Sequence, residues 1–172
     1  AAAPAGTHRM AAARSGPART ERPRVAWRSV MRRAVPVVRV VRAVVQHMKA
    51  GGKGAIVNIS SGAGIRGTGS SVAYATSKAG LNIMTLSLAR NLGPEIRVNV
   101  VCPAMVTGRW HREHLGAEKY EAQMTNFANS TPLKRRVDPE DIASAVCWLI
   151  EGADAVTGQV ITVDCGASLG AP

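Results

Sequence analysis

The chain has 172 residues, enough for one domain with a sizeable core, and 46% of them are hydrophobic. Only three Trp, two Tyr and one Phe are aromatic, so aliphatic residues and Ala must fill that core. The net charge of +11 is unevenly placed: residues 1–42 hold ten Arg against Glu21, net +9, whereas residues 43–172 hold twelve basic and ten acidic residues, net +2. The basic excess therefore belongs to a leader, and the rest of the chain lacks the charge of a nucleic-acid-binding domain.

Residues 1–33 are rich in Ala, Arg and Pro with no sustained hydrophobic period and read as a disordered leader, leaving residues 34–172 as the domain. A nucleic-acid arm would carry aromatic or glycine repeats, and only Trp27 accompanies the arginines. A mitochondrial transit peptide fits the Arg-rich, acid-poor composition better. The favoured reading is a segment without function. From Val35 to Lys49 a Val-rich pattern with Arg39, Arg42 and His47 on one face predicts a helix, with Pro36 setting its start. Arg39 and Arg42 interrupt it well short of the roughly 18 apolar residues of a membrane span. Gly51 to Gly54 ends that helix, and Ala55 to Ile59 is an apolar, β-branched run that reads as a buried strand. A Gly/Ser loop leads to Val72–Asn91, a helix with one Gly and no Pro.

Gly93-Pro94 is a stop signal, Ile96 to Val101 a strand, and Cys102 to Thr107 the loop at its carboxyl end, where ligands gather in open α/β sheets. Trp110 to Asn129 is polar, with Trp110, Leu115, Tyr120, Met124 and Phe127 interspersed. Its His111-Arg-Glu113-His114 is not a zinc motif, and the plain reading is a solvated loop. Asp138-Pro139-Glu140-Asp141 starts the last helix with an N-cap, a first-turn Pro and first-turn acids, and Ala143, Val146, Cys147 and Ile150 form its expected buried face. Gln159 to Val163 is the final strand. Three cysteines (Cys102, Cys147, Cys165) are an odd number, too widely spaced for metal pairs, and imply reduced thiols in an intracellular protein and no metal site.

The chemistry concentrates between Ser61 and Lys78. Tyr74 and Lys78 are four residues apart and share a helix face. A cation beside a phenol favours the phenolate, so the tyrosine is fitted to exchange a proton near neutral pH. Ser61, at the strand's end, brings a hydroxyl to the same point. Chance also produces such pairs on solvated helix faces.

Asn58-Ile-Ser-Ser61, twelve intervening residues and Tyr74-x-x-x-Lys78-Ala resemble the active-site signature of the short-chain dehydrogenases/reductases. Ile96-Arg-Val-Asn99-Val-Val-Cys-Pro103, Thr131-Pro-Leu, Asp138-Pro-Glu-Asp-Ile-Ala and Val156-Thr-Gly-Gln159-Val follow in the family's order, so the likeness runs from about Val40 to Gly166. It implies an α/β chain with part of a Rossmann-like, doubly wound parallel sheet, lacking the N-terminal βαβ cofactor half. It also implies an oxidoreductase using NAD or NADP to reduce a carbonyl or oxidise an alcohol. In that reading Tyr74 is the acid/base, Lys78 tunes it and holds the nicotinamide ribose, and Ser61 orients the substrate oxygen. Tyr74, Lys78, Pro103, Val106 and Thr107 would meet the nicotinamide end. The C-terminal motifs look most like the 3-oxoacyl-carrier-protein-reductase-like branch.

The chain departs from the family at several points. It has Pro103-Ala104 for Pro-Gly and Asp164-Cys165-Gly166 for Asp-Gly-Gly. The glycine-rich loop, the N-A-G segment and the Asn expected before Ser61 have no counterpart, since the first Asn is Asn58. Gly62-Ala-Gly64-Ile-Arg-Gly67 spells a dinucleotide fingerprint, but four residues separate it from the next helix and no acid lies between Glu21 and Glu95. The expectation is thus a truncated or frame-shifted reading of a GC-rich gene, cytoplasmic (mitochondrial if the leader is a transit peptide), weakly active or inactive alone. The helices at 37–49 and 72–91 resemble those that build the family's dimer interface. They imply a homo-oligomer, or, as an alternative, a non-catalytic remnant paired with an intact homologue, with neither nucleic acid nor membrane as a partner.

Overall fold

The structure is a computed structural model describing residues 27–169. Its frame is a three-stranded parallel sheet in the order β1-β2-β3, made of β1 (Gly54–Ile59), β2 (Ile96–Pro103) and β3 (Val160–Val163). Helix α1 (Trp27–Ala50) precedes β1. Helices α2 (Ala63–Arg66) and α3 (Val72–Leu92) link β1 to β2. Helices α4 (Arg109–Leu115), α5 (Ala117–Ser130) and α6 (Pro139–Glu151) lie between β2 and β3. A short 3-10 turn, Ala167–Leu169, closes the described chain. Among the described residues no helix is long and apolar enough to cross a membrane.

Strand β2 is central and almost wholly buried, and its alternating side chains serve two layers. Ile96 and Val98 meet Val41, Val45 and Ala89 of α1 and α3 on one face. Val101 meets Leu149 of α6 and Ala153 on the other. Helices thus cover both faces, as expected of a doubly wound sheet. The α6-facing polar residues of β2 secure the connection to β3. Asn99 donates to the Val156 carbonyl at 2.8 Å and accepts from the Gln159 amide at 3.0 Å, while the Arg97 guanidinium caps the end of α6 on the Leu149 and Ile150 carbonyls.

Two expectations need correcting. Helix α1 does not start near Pro36 but runs through it from Trp27. Proline removes only one intrahelical donor, and burial of Val41 and Val45 downstream anchors the helix. Residues 1–26 of the leader lie outside the described residues. In α6 the buried stripe is Leu149, flanked by Ile142, Ala145 and Val146; Ala143, Cys147 and Ile150 are exposed. The start of α6 forms as read, with Asp138 and Asp141 in a capping box and Pro139 in the first turn.

Candidate active site

The carboxyl ends of the strands are laced together. The Ser60 amide donates to the Val101 carbonyl at 2.8 Å, Gly62 to Pro103 at 2.9 Å, and Ala104 to Val163 at 3.1 Å. This places Ser61, leaving β1, beside Pro103 and Ala104, leaving β2. The Ser61 hydroxyl accepts from the Ala63 amide at 3.2 Å, which fixes it at the mouth of α2.

Helix α3 is positioned by polar contacts at the sheet. The Ser60 hydroxyl donates to the Lys78 carbonyl at 3.0 Å, Asn58 donates to the Thr85 hydroxyl at 2.9 Å, and the Cys102 thiol donates to Asn82 at 3.6 Å. Among the described residues no buried side-chain polar atom lacks a partner. Burial pushes the Cys102 thiol up, against the lowering influence of Ser60, Ser61 and the Lys78 charge. It is therefore a neutral core thiol and a poor nucleophile. At the start of α3, Ser71 caps the helix by accepting from the Tyr74 amide at 3.1 Å, so Tyr74 enters in the first turn.

Tyr74 and Lys78 come together as predicted from their spacing, with the Lys78 ammonium 5.9 Å from the Tyr74 ring centroid. That ammonium also donates to the Ile59 carbonyl at 2.9 Å, so it sits at the end of β1, two residues from Ser61. Gly64 explains why α2 can lie against this point: a Cβ there would come within 2.6 Å of the Lys78 carbonyl carbon and 2.7 Å of the Ala79 nitrogen. Gly69, at φ +125°, presses against Ala63 and the Tyr74 ring. Gly64 and Gly69 therefore pack the loop onto α3, whereas a Cβ at Gly67 would meet nothing.

Ser61 and Tyr74 line a cleft of about 830 Å³ together with Pro103. Val106 and Thr107, on the loop after β2, are held by backbone pairing to Val137, the Thr107 amide donating to the Val137 carbonyl at 2.8 Å. The Thr107 hydroxyl donates to Asp138, so the loop after β2 is tied to the start of α6. Neither Val106 nor Thr107 lines the cleft.

The opposite wall comes from α4 and α5, the segment whose plain reading is a solvated loop and which by resemblance to the family corresponds to its substrate-covering helices. The region is helical, although α4 buries none of its residues. Trp110, His111, Gln123 and Phe127 face the cleft from it, with Met105 and Arg66 nearby. Glu121 ties this wall down, accepting from Arg112 at 3.1 Å and Arg136 at 2.9 Å. Arg66, Met105 and Gln123 were not foreseen as lining residues; the only available signal for Arg66 was its place in the loop after Ser61.

Comparison with known proteins gives a consistent result. The family model described as enoyl-(acyl carrier protein) reductase matches residues 7–168, a span that starts within the basic leader. A short-chain dehydrogenase/reductase homolog of Bacillus subtilis, YusR, is 44% identical over 128 residues, covering 74% of this chain and 94% of its own. The 3-oxoacyl-[acyl-carrier-protein] reductase of Chlamydia trachomatis is 34% identical over 143 residues, covering 81% of this chain and 56% of its own. Many other curated relatives are likewise matched over about half of their length. The crystal structure of Gluconobacter frateurii L-sorbose reductase, complexed with NADPH and L-sorbose, superposes with a TM-score of 0.71 at 25% identity, over 78% of this chain and 54% of that one.

Proposed function

The chain belongs to the short-chain dehydrogenase/reductase family of oxidoreductases, and from that premise we propose that its cleft interconverts a carbonyl and an alcohol, with Tyr74 moving the proton. The observation that carries this reading is the convergence of Ser61, Tyr74 and Lys78 at the end of β1. The Ser61 hydroxyl orients the substrate oxygen. Tyr74 donates a proton to that oxygen in reduction and takes it back in oxidation. The Lys78 charge stabilises the negative charge that develops on the phenol oxygen.

In this reading Tyr74, Lys78 and Pro103 would hold the nicotinamide end of NAD or NADP, with Val106 and Thr107 on the adjoining loop outside the cleft, and when bound the cofactor supplies or accepts the hydride. Pro103 lies in the cleft beside Tyr74, and the Val106–Thr107 backbone is fixed. A pyrophosphate, by contrast, needs an open glycine turn at a helix N-terminus. Among the described residues the fingerprint-like stretch Gly62–Gly67 is locked at Gly64 against Lys78 and Ala79 of α3. We therefore assign the proton-transfer and nicotinamide end of the site to this chain and expect the phosphate-binding half from elsewhere.

The test is turnover. The chain joined to the glycine-rich half of a relative should consume NADH or NADPH with a ketone, and Tyr74→Phe should cost on the order of a hundredfold or more. Near-normal turnover by that variant removes Tyr74 from the mechanism.

A second reading, association through α1 and α3, is favoured by the exposed apolar residues Val38, Val40, Val72 and Ile83 on those helices. Light scattering should report a dimer or larger, and Ile83→Glu should shift it towards monomer. A monomeric parent chain contradicts this reading.

A further inference from the structure

The cleft's two walls differ in chemistry, and the difference bears on the substrate. Resting on the carbonyl-reduction reading, we infer that Arg66 is a specificity-determining residue and that the substrate is an oxo acid, its carboxylate bound by the Arg66 guanidinium. Among the described residues Arg66 is the one Lys, Arg, Asp or Glu side chain lining the cleft. The remaining polar lining groups, such as Thr68, Ser70 and Gln123, are uncharged donors or mixed donors and acceptors. A cleft with a guanidinium and no carboxylate favours an anion.

The guanidinium is placed close to the chemistry. Its Nη2 lies 3.5 Å from where a Cβ on Gly62 would stand, and Gly62 follows Ser61. Arg66 also has capacity to spare. It donates to the Ala167 carbonyl at 3.3 Å, and no carboxylate lies within ion-pairing distance among the described residues. The neighbouring acid, Asp164, accepts from the Gly166 and Ser168 amides at 2.9 and 2.8 Å and feels the Arg66 charge without a direct ion pair to it. A planar carboxylate would accept the remaining guanidinium donors in fork geometry. Across the cleft Met105, Trp110 and Phe127 present an apolar and aromatic wall, which fits a hydrocarbon or aryl body on the same substrate.

The experiment compares benzoylacetate with its neutral ethyl ester by calorimetric titration of the full chain at low salt, and needs no turnover. Benzoylacetate should bind about tenfold tighter or more, as a charge-assisted hydrogen bond predicts. Arg66→Gln should erase that preference by weakening the acid far more than the ester, and Arg66→Lys should keep part of it. Equal affinity of acid and ester in the parent chain, binding of neither, a preference that survives Arg66→Gln, or loss of ester binding in that variant overturns the inference. The outcomes separate from those of the reductase reading. A preference for the acid without any Tyr74-dependent turnover keeps Arg66 as an anion site and sinks the reductase reading. Turnover of neutral ketones without such a preference does the opposite.

Discussion

The two walls of the cleft are built on different principles. The inner wall, Ser61 and Tyr74 with Lys78 behind them, rests on buried contacts: α3 is bonded to β1 through Asn58–Thr85 and Ser60–Lys78, and α2 closes on it at Gly64. The outer wall, α4 and α5, buries Tyr120 and Met124 but nothing from α4, and is held by partly exposed ion pairs of Glu121. A proton-transfer group must be held within a fraction of an ångström to work. A wall that only admits and orients substrate tolerates looser support. In the proposed reading the chemistry belongs to the inner wall, with Arg66 of α2 beside it, and the outer wall orients the apolar body of the substrate.

Substitutions in the two walls should separate accordingly. Tyr74→Phe should lower turnover by about a hundredfold or more in an active preparation, whereas Trp110→Ala should raise KM and leave kcat within severalfold. Similar kcat losses from both would dissolve the distinction. Gly64→Ala should destabilise the fold by roughly 1–3 kcal/mol in denaturant titrations, because the added Cβ meets backbone at Lys78 and not a flexible side chain. An unchanged midpoint would show that α2 is not locked against α3. Glu121→Ala should cost less than about 1 kcal/mol, since exposed ion pairs contribute little, yet it should weaken substrate binding by loosening α5.

The smallest effect is electrostatic and lies beyond the outer wall, at the start of α6. Arg135 donates to both oxygens of Asp141, at 2.7 and 2.8 Å, and together with the Asp138 amide holds that carboxyl down at about 2. The unfolded value is about 3.9, so the folded pKa is depressed. The pair's contribution is therefore present above about pH 4 and is lost as pH falls through about 2. Half of Arg135 is exposed, so the contribution is modest and falls with salt. Asp141→Asn should flatten the thermal-stability profile between those pH values; a profile identical to the parent's contradicts the assignment.

Much of the inner wall was legible in the sequence, because it depends on local spacing. Tyr74 and Lys78 meet through helix geometry, and Ser61 follows from the end of an apolar strand. The strands and the capped start of α6 were readable for the same reason. The rest of the cleft lining was not, since nothing local tells that Arg66, Met105 and Gln123 converge from three segments. The stripe of α6 was mis-phased because Leu149 is selected by contact with Val101 across the sheet and not by the helix's own pattern. Pro36 misled as to the start of α1 because tertiary burial outweighs one missing donor.

The proposed division between a proton-handling end on Ser61, Tyr74 and Lys78 and a phosphate-binding end outside the described residues is tested most directly by titrating NADH and NADPH into the isolated 172-residue chain calorimetrically. Weak or undetectable binding of both is the expected result, because the loop after β1 is locked against α3 at Gly64. Micromolar affinity for either cofactor in a monomeric sample would contradict it.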